Sequence, residues 1–414
     1  MKEEILAFIN DPQQLEKLYQ TNKAPFKREF NLLYSDIKGT ALADFWNERL
    51  NYESEDINWG TGSELLLVVI AALIAGVIAK LPAILSLNEE FFYTRNIGFI
   101  IFPVLTGYLA WKNNLSTAKI VVIAGLTLAA AIFINLLPNV KNSDTLILSC
   151  VHLLLVLWSV AGFAFVGSVQ ADSGKRLAYL KYNGDLIVIT TLIVIAGGIL
   201  TGLTIGLFSL IGFNIEKFYF ENIVIFALPA APIMGTFLTL TNPQLVGKVS
   251  PVIAKIFSPL VLVMLVIYLA AMAFSQKNPY NDRDFLLIFN ALLLGVMAII
   301  FFSVAETVTT TKRGGQIWVL ALLALVTIIV NCVALSAILF RMSTSGVTPN
   351  RAAVFGGNVL ILIHLLLVSA QLIRLLTDKV ELIAVKKSIT NYLPVYCLWA
   401  AVVTFLFPFL FGFK

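Results

Sequence analysis

Charged side chains are scarce in this 414-residue chain, where Asp, Glu, Lys and Arg together make up 13% of the residues. Soluble domains carry about 25% charged residues and about 45–50% apolar ones. In this chain 59% of the residues are hydrophobic, and apolar runs of ~20 residues follow one another. This composition excludes an ordinary cytosolic protein and indicates a protein embedded in lipid.

Cysteine and histidine are also few, at three and two residues. Cys150, Cys332 and Cys397 lie inside apolar runs without metal-ligand spacing, so we expect buried thiols and no disulfide scaffold. The chain also lacks the sequence fingerprints of serine hydrolases, zinc proteases, phosphate-binding loops and dinucleotide sites. We therefore expect no enzyme activity, no cofactor and no metal site.

Apolar segments long enough to cross a bilayer dominate the rest of the sequence. They predict an all-α fold, a polytopic transmembrane helical bundle of about eleven spans with a small N-terminal cytoplasmic helical head. Prolines make the sixth and seventh spans the hardest to delimit. The predicted spans are residues 65–85, 92–111, 119–138, 145–169, 185–212, 221–240, 250–274, 284–306, 316–340, 351–374 and 391–412.

Lys and Arg are distributed unequally between the two sides that these spans define. The connections on the N-terminal side carry 13 of them, and the opposite side with the C-terminal tail carries 8. The positive-inside rule then predicts a cytoplasmic N-terminus and a periplasmic or extracellular C-terminus. Basic charge placed in this way is topological and does not indicate nucleic-acid binding.

The first segment, residues 1–62, differs from the membrane domain at 63–414. It holds seven Lys and Arg against eleven Asp and Glu, and its apolar residues have helical spacing over short stretches. Asp11 and Pro12 form a typical helix start. A segment this short either buries a small core or docks its aromatic side chains on the membrane domain. It is either a platform for a cytoplasmic protein partner or a cap over the loops.

Polar side chains within spans are the candidate substrate-binding residues, because lipid makes an unpaired polar group costly. His152, Asn290, Asn331 and Asn358 all lie roughly 9–14 Å below the outer surface at ~1.5 Å per residue. One interpretation is a polar layer lining a cavity that opens outward. The other is a set of independent interhelical hydrogen bonds.

Other polar residues of the spans have simpler expected roles. His364 lies ~20 Å from the outer end, so it does not form a metal site with His152. Glu306 ends the eighth span six residues before Lys312, which favours pairing at the interface, with a proton or cation site as the alternative. Asp185 is also expected at the interface, and Lys80 is expected to extend toward the headgroups. No acidic residue is predicted deep in any span.

Backbone irregularities give a second set of candidates. Gly198, Gly202 and Gly206 form a face that favours close helix packing. Pro229 and Pro232 interrupt the sixth span, either as a kink or as a broken helix beside a transport pathway. We find no convincing inverted repeat, which weighs against a transporter.

The connection between the ninth and tenth spans predicts a sharp helix start. Gly346 permits a tight turn, Thr348 is a good N-cap, and Pro349 suits the first helical position. Arg341 and Arg351 bracket this connection. Either they are interfacial arginines beside a helix start, or with Thr348 they bind an anion or a lipid headgroup.

The same connection resembles a bacterial multi-pass inner-membrane family known as domain of unknown function four-one-five-three. Members carry a Tyr-Gly-Leu-Thr-Pro-Asn-Arg-like turn after a span that ends in Arg, and residues 345–351 here read Ser-Gly-Val-Thr-Pro-Asn-Arg. The head segments 15–19, Leu-Glu-Lys-Leu-Tyr, and 45–50, Phe-Trp-Asn-Glu-Arg-Leu, are similar to heads of some members. The resemblance implies a bacterial inner membrane and assigns no catalytic or binding residue.

Two classes of function fit these features. A transporter or channel-like protein for a small solute or lipid is favoured by the number of spans and by the polar layer. A non-transporting sensor, scaffold or assembly subunit is favoured by the acidic head and by the shortage of charge at depth.

Overall fold

The computed structural model describes residues 2–21, 23–51, 59–140, 142–168, 173–210, 214–274, 283–307 and 314–414. The chain divides into two compact units, Met1–Ile57 and Asn58–Lys414. All regular secondary structure in the described residues is helical, so the predicted all-α class is confirmed.

The first unit contains four short helices, α1 (Lys2–Ala7), α2 (Pro12–Thr21), α3 (Lys23–Ile37) and α4 (Ala41–Asn51). The Asp11 carboxylate accepts hydrogen bonds from the backbone N–H groups of Gln13 and Gln14, at 3.1 and 3.2 Å, as the predicted helix start requires. Phe26, Phe30 and Trp46 pack against one another at the centre. The unit therefore buries a core of its own.

The second unit is built from helices, most of them long. They are α5 (Gly62–Leu85), α6 (Glu89–Lys112), α7 (Thr117–Leu136), α8 (Asp144–Val166), α9 (Ser173–Leu210), α10 (Glu216–Tyr219), a π-helical turn (Phe220–Val224), α11 (Ile225–Thr241), α12 (Pro243–Phe274), α13 (Arg283–Glu306), α14 (Gly315–Ser345), α15 (Pro349–Leu376), α16 (Leu382–Phe405) and α17 (Phe407–Leu410).

Each of the eleven predicted spans overlaps helical structure in this unit. Among the described residues, eight helices are long and apolar enough to cross a membrane, and shorter apolar helices cover Ala254–Ile267 and Asn290–Glu306. Helix α6, at the second predicted span, is not among the eight. The chain is therefore a multi-pass helical membrane protein.

Of the two alternatives at Pro229 and Pro232, the broken helix is not observed, because both prolines lie inside the continuous helix α11. The irregular backbone lies earlier, in the π-helical turn Phe220–Val224. Helix α11 packs closely against α5 and α9. Such neighbours support a helix that has lost backbone donors to proline.

Small residues determine where the helices approach closely, but not where the sequence suggested. A Cβ atom on Gly184 of α9 would lie 2.0 Å from Phe302 Cδ2 of α13, so only glycine permits this contact. A Cβ atom at Gly198, Gly202 or Gly206 would meet no atom within 4 Å in the described part of the chain. Among the described residues, these three glycines therefore do not have the close helix contact that their spacing predicts.

One arginine closes the C-terminal end of a neighbouring helix. Arg95 of α6 is buried, and its Nε and Nη2 atoms donate hydrogen bonds to the carbonyls of Ile134 and Leu137, at 3.2 and 3.3 Å. Its guanidinium also lies 4.1 Å from the centre of the Phe91 ring. The last carbonyls of a helix lack partners within it, so Arg95 stabilises the end of α7.

We predict that Arg95→Met lowers the free energy of unfolding by about 2 kcal/mol, since it removes two charge-assisted hydrogen bonds to buried carbonyls. Thermal unfolding of the purified protein in detergent measures the change. The control is Lys217→Met, which removes an exposed ion pair to Glu221 and should have almost no effect. Equal stability of the two variants would contradict the role of Arg95.

Candidate functional site

Four charged side chains from three helices converge at one end of the second unit. Lys181 and Asp185 belong to α9, Glu306 ends α13, and Lys386 lies near the start of α16; we call these four residues the charge cluster. Lys181 Nζ lies 3.2 Å from Glu306 Oε2. Asp185 and Lys386 also interact electrostatically with Glu306, and Lys386 Nζ donates to the Thr307 carbonyl at 2.9 Å.

Helical spacing explains why these side chains meet. Lys181, Gly184 and Asp185 share one face of α9, because residues three and four apart are neighbours on a helix. Phe302 and Glu306 share a face of α13 for the same reason. The contact between Gly184 and Phe302 brings these faces together, so the charged residues beside it come within reach of one another.

The Glu306 carboxylate is the more buried partner of its ion pair with Lys181. Its side chain is 1% exposed, whereas that of Lys181 is 43% exposed. Glu306 Oε2 is paired, but Oε1 has no hydrogen-bond partner among the residues that the structure describes. Two acids and two bases make the fully ionised cluster neutral. A buried carboxylate with one open oxygen has the chemistry of a proton or cation site.

The structure brings three of the four predicted polar residues together. Asn358 Nδ2 of α15 donates to Asn290 Oδ1 of α13 at 2.9 Å, and Asn331 Nδ2 of α14 donates to the Asn358 carbonyl at 3.1 Å. His152 is not bonded to them, since its Nδ1 lies 2.9 Å from the Leu148 carbonyl of its own helix. Cavities occur between α12 and α14 and among α8, α9 and α16, and none of these four residues lines either one.

His364 lies in an aromatic environment, away from His152 in the sequence and on a different helix. Its Nδ1 is 3.0 Å from the Tyr396 hydroxyl, and its ring is stacked on Tyr392 with 4.4 Å between centroids. Phe301 lies on it at 4.8 Å. These contacts fit a buried histidine that packs three helices together.

The connection between α14 and α15 has the local structure that its sequence predicts. Thr348 is the N-cap of α15, accepting from the Arg351 N–H at 3.4 Å, and Pro349 is the first helical residue. Arg351 Nη1 donates to the carbonyls of Ser345 and Gly346, at 2.8 and 2.6 Å, so it also closes the end of α14. Arg341 is half-buried. Anion binding by Arg341, Thr348 and Arg351 stays a prediction.

The sequence did not identify the charge cluster. Lys312 and Arg313, the basic residues that follow Glu306, lie outside the described residues, and the observed partner is Lys181, 125 residues away. Asp185 and Glu306 are both buried, and each lies at one end of its predicted span, so the expectation that no acid lies deep in a span is not contradicted. One sequence feature could have indicated the charge cluster. Lys181 and Asp185 are four residues apart in the sequence, and Gly184 lies between them. Lys80 donates to Asn222 Oδ1 at 2.5 Å, and its extension toward the headgroups stays a prediction.

No protein-family model, curated protein or solved structure matches this chain. Its function therefore has to be argued from its own residues.

We predict that Lys181→Met destabilises the protein by about 2 kcal/mol, because it leaves the Glu306 carboxylate buried beside one cation fewer. This loss of stability lies between the values typical of removing one partner from an exposed ion pair and from a fully buried one. The double variant Lys181→Met with Glu306→Leu should recover most of this loss, since it removes both charges. Thermal unfolding of the three proteins measures the effect. A double variant less stable than Lys181→Met would contradict the assigned pair.

We predict that Asn358→Leu lowers the free energy of unfolding by about 1 kcal/mol, because the Asn290 side chain then loses its partner inside the bundle. His152→Leu is the matched control and should change stability little, since the bond that the His152 ring makes to described residues is to its own helix. Thermal unfolding distinguishes them, and a larger loss in the histidine variant would refute this assignment.

Proposed function

We propose that the protein is a transporter or channel-like protein for a small solute or lipid, coupled to a proton or another cation at Glu306. The observation that carries this proposal is the buried Glu306 carboxylate, shared by α9, α13 and α16 and left with one oxygen without a hydrogen bond in the described structure. Ionisable groups buried within membrane helices are costly, and they mark ion pathways and proton relays.

The cluster gives coupling a simple physical basis. When the Glu306 carboxylate is ionised, its attraction to Lys181 draws α13 toward α9. When a proton neutralises the carboxylate, this attraction is lost and the two helices are held by packing contacts such as that at Gly184. Protonation of the Glu306 carboxylate thus shifts the equilibrium between two arrangements of α9 and α13. Alternating access requires such a shift.

The proposed location is a bacterial inner membrane, with the N-terminus in the cytoplasm and the C-terminus in the periplasm or outside the cell. It is supported by the excess of Lys and Arg on the N-terminal side and by the resemblance of residues 345–351 to the bacterial family described above. The long apolar helices favour the lipid bilayer as a binding partner. We propose no enzyme activity, no cofactor and no nucleic-acid partner.

A second candidate function is a sensor, scaffold or assembly subunit that binds a cytoplasmic protein through residues 1–62. It is favoured by Phe45, which lies on α4 beside the buried Trp46 and is 56% exposed, and by the exposed Leu32 of α3. Exposed apolar side chains mark a protein-binding face where they form a contiguous patch. A pull-down with the full chain and its Phe45→Ser variant tests it: no specific partner at micromolar concentration would count against it.

The coupling proposal is tested by labelling carboxyl groups in the purified protein with a hydrophobic carbodiimide, which reacts with the protonated acid. We expect Glu306 to be labelled at low pH and labelling to fall as pH rises, because the acid then ionises. Glu64 is the matched control: its Oε1 accepts hydrogen bonds from Tyr108, at 2.7 Å, and from Lys112. It should stay unlabelled. Peptide mass spectrometry reads both sites.

Proton uptake into liposomes that contain the protein tests whether Glu306 couples proton entry to solute transport. A panel of solutes is added under an imposed membrane potential, and an entrapped pH dye reports entry of protons. We expect one solute class to evoke uptake that Glu306→Gln abolishes. An unlabelled Glu306 at every pH, or equal uptake by wild type and Glu306→Gln, would contradict coupling at this residue.

A further inference from the structure

A cleft opens on the second unit where α8, α9 and α16 meet, apart from the charge cluster. Its volume is about 260 Å³, and its walls are mainly aromatic and aliphatic. Trp158 and Phe163 contribute from α8, Tyr179 from α9, and Leu393 and Pro394 from α16.

The polar groups along these walls already have partners inside the protein. The Trp158 indole N–H donates to Asn183 Oδ1 at 2.9 Å, and the Tyr179 hydroxyl donates to the Trp158 carbonyl at 2.7 Å. At the far end, Ser159 Oγ lies 3.0 Å from Cys397 Sγ. Because these groups are satisfied, the interior of the cleft offers an apolar surface and does not require a polar ligand.

The mouth of the cleft is different, because it is basic. Arg176, near the start of α9, is the charged residue among those described as lining the cleft. Lys119 Nζ also lies near the mouth, since it donates to the Gly167 carbonyl at 2.6 Å, next to the lining residue Ser168. A guanidinium carries five donors, so Arg176 can bind an anion while keeping its contacts within the protein.

The shape of the cleft matches one class of molecule. From Val166 at the end of α8 back to Trp158 is ~12 Å along the helix, so the apolar part runs from the basic mouth toward the middle of the bundle. Its volume is below the ~300–1,000 Å³ of pockets that enclose a whole drug-sized ligand. The cleft is therefore sized for one end of an amphiphile whose remainder stays in the bilayer.

We infer that this cleft binds one anionic phospholipid of the surrounding bilayer, with its phosphate at Arg176 and the upper part of an acyl chain between Trp158 and Pro394. The positive charge of Arg176 favours an anionic headgroup. The apolar walls, whose polar groups already have hydrogen-bond partners, favour an acyl chain. This inference does not depend on transport.

The test uses the purified full chain in detergent with phosphatidylglycerol, phosphatidylethanolamine of the same chains, or inorganic phosphate. Lipid retained in native mass spectrometry and the shift in thermal unfolding give two readouts. We expect binding of phosphatidylglycerol, about tenfold weaker binding of phosphatidylethanolamine, and no shift with phosphate alone.

Variants identify the site. Arg176→Gln should weaken phosphatidylglycerol binding about tenfold, and Ser159→Leu should weaken it by filling the apolar end. Lys175→Gln, which changes an equal charge one residue away, is the matched control and should bind nearly as wild type.

Three results would overturn the inference. They are equal binding of the two lipids by the wild type, unchanged phosphatidylglycerol binding in both Arg176→Gln and Ser159→Leu, and stabilisation by phosphate alone as large as that by lipid. The thermal unfolding of each variant without lipid shows whether it is folded, and the two variants change opposite ends of the cleft, so misfolding of one leaves the other as the test.

Discussion

The close approach of α9 and α13 at Gly184 is the constraint on which the charge cluster depends. Phe302 fills the space that a Cβ atom on residue 184 would occupy. Lys181 and Asp185 lie one turn before and one residue after this glycine, and Glu306 lies one turn after Phe302. A larger residue at 184 would separate the two helices and leave the Glu306 carboxylate buried without its ammonium partner, which is costly inside a membrane protein.

Several other buried polar groups of the second unit have partners on a neighbouring element, which reduces the cost of burying them. Arg95 closes the end of α7, and Arg351 closes the end of α14. Asn358 joins α13 and α14 through its side chain and its carbonyl. Glu306 Oε1 is one of several buried side-chain atoms without a hydrogen bond among the described residues, and as a carboxylate oxygen next to Lys181 it fits a proton-binding role.

Sequence patterns predicted the helices well because the pattern of a helix is local. The apolar runs, the N-cap at Thr348 and the start at Asp11 each depend on residues a few positions apart. Partners across helices were not predictable in this way: Lys181 and Glu306 are 125 residues apart. The glycines show the same limit, since the regular face at Gly198, Gly202 and Gly206 has no partner in the described chain, whereas the single Gly184 has one. Pro229 and Pro232 suggested a break because sequence alone does not reveal the neighbouring helices that support α11.

An ion pair between the half-exposed Lys181 of α9 and the buried Glu306 of α13 holds the Glu306 carboxylate inside the bundle. The most direct measurement is the distance between the Lys181 side-chain nitrogen and the Glu306 carboxylate, taken by solid-state nuclear magnetic resonance on the full chain in lipid bilayers. We predict a nitrogen–oxygen separation within ~4 Å at a pH where Glu306 is ionised. A separation beyond the range of dipolar coupling, with Glu306 accessible to water, would contradict the account.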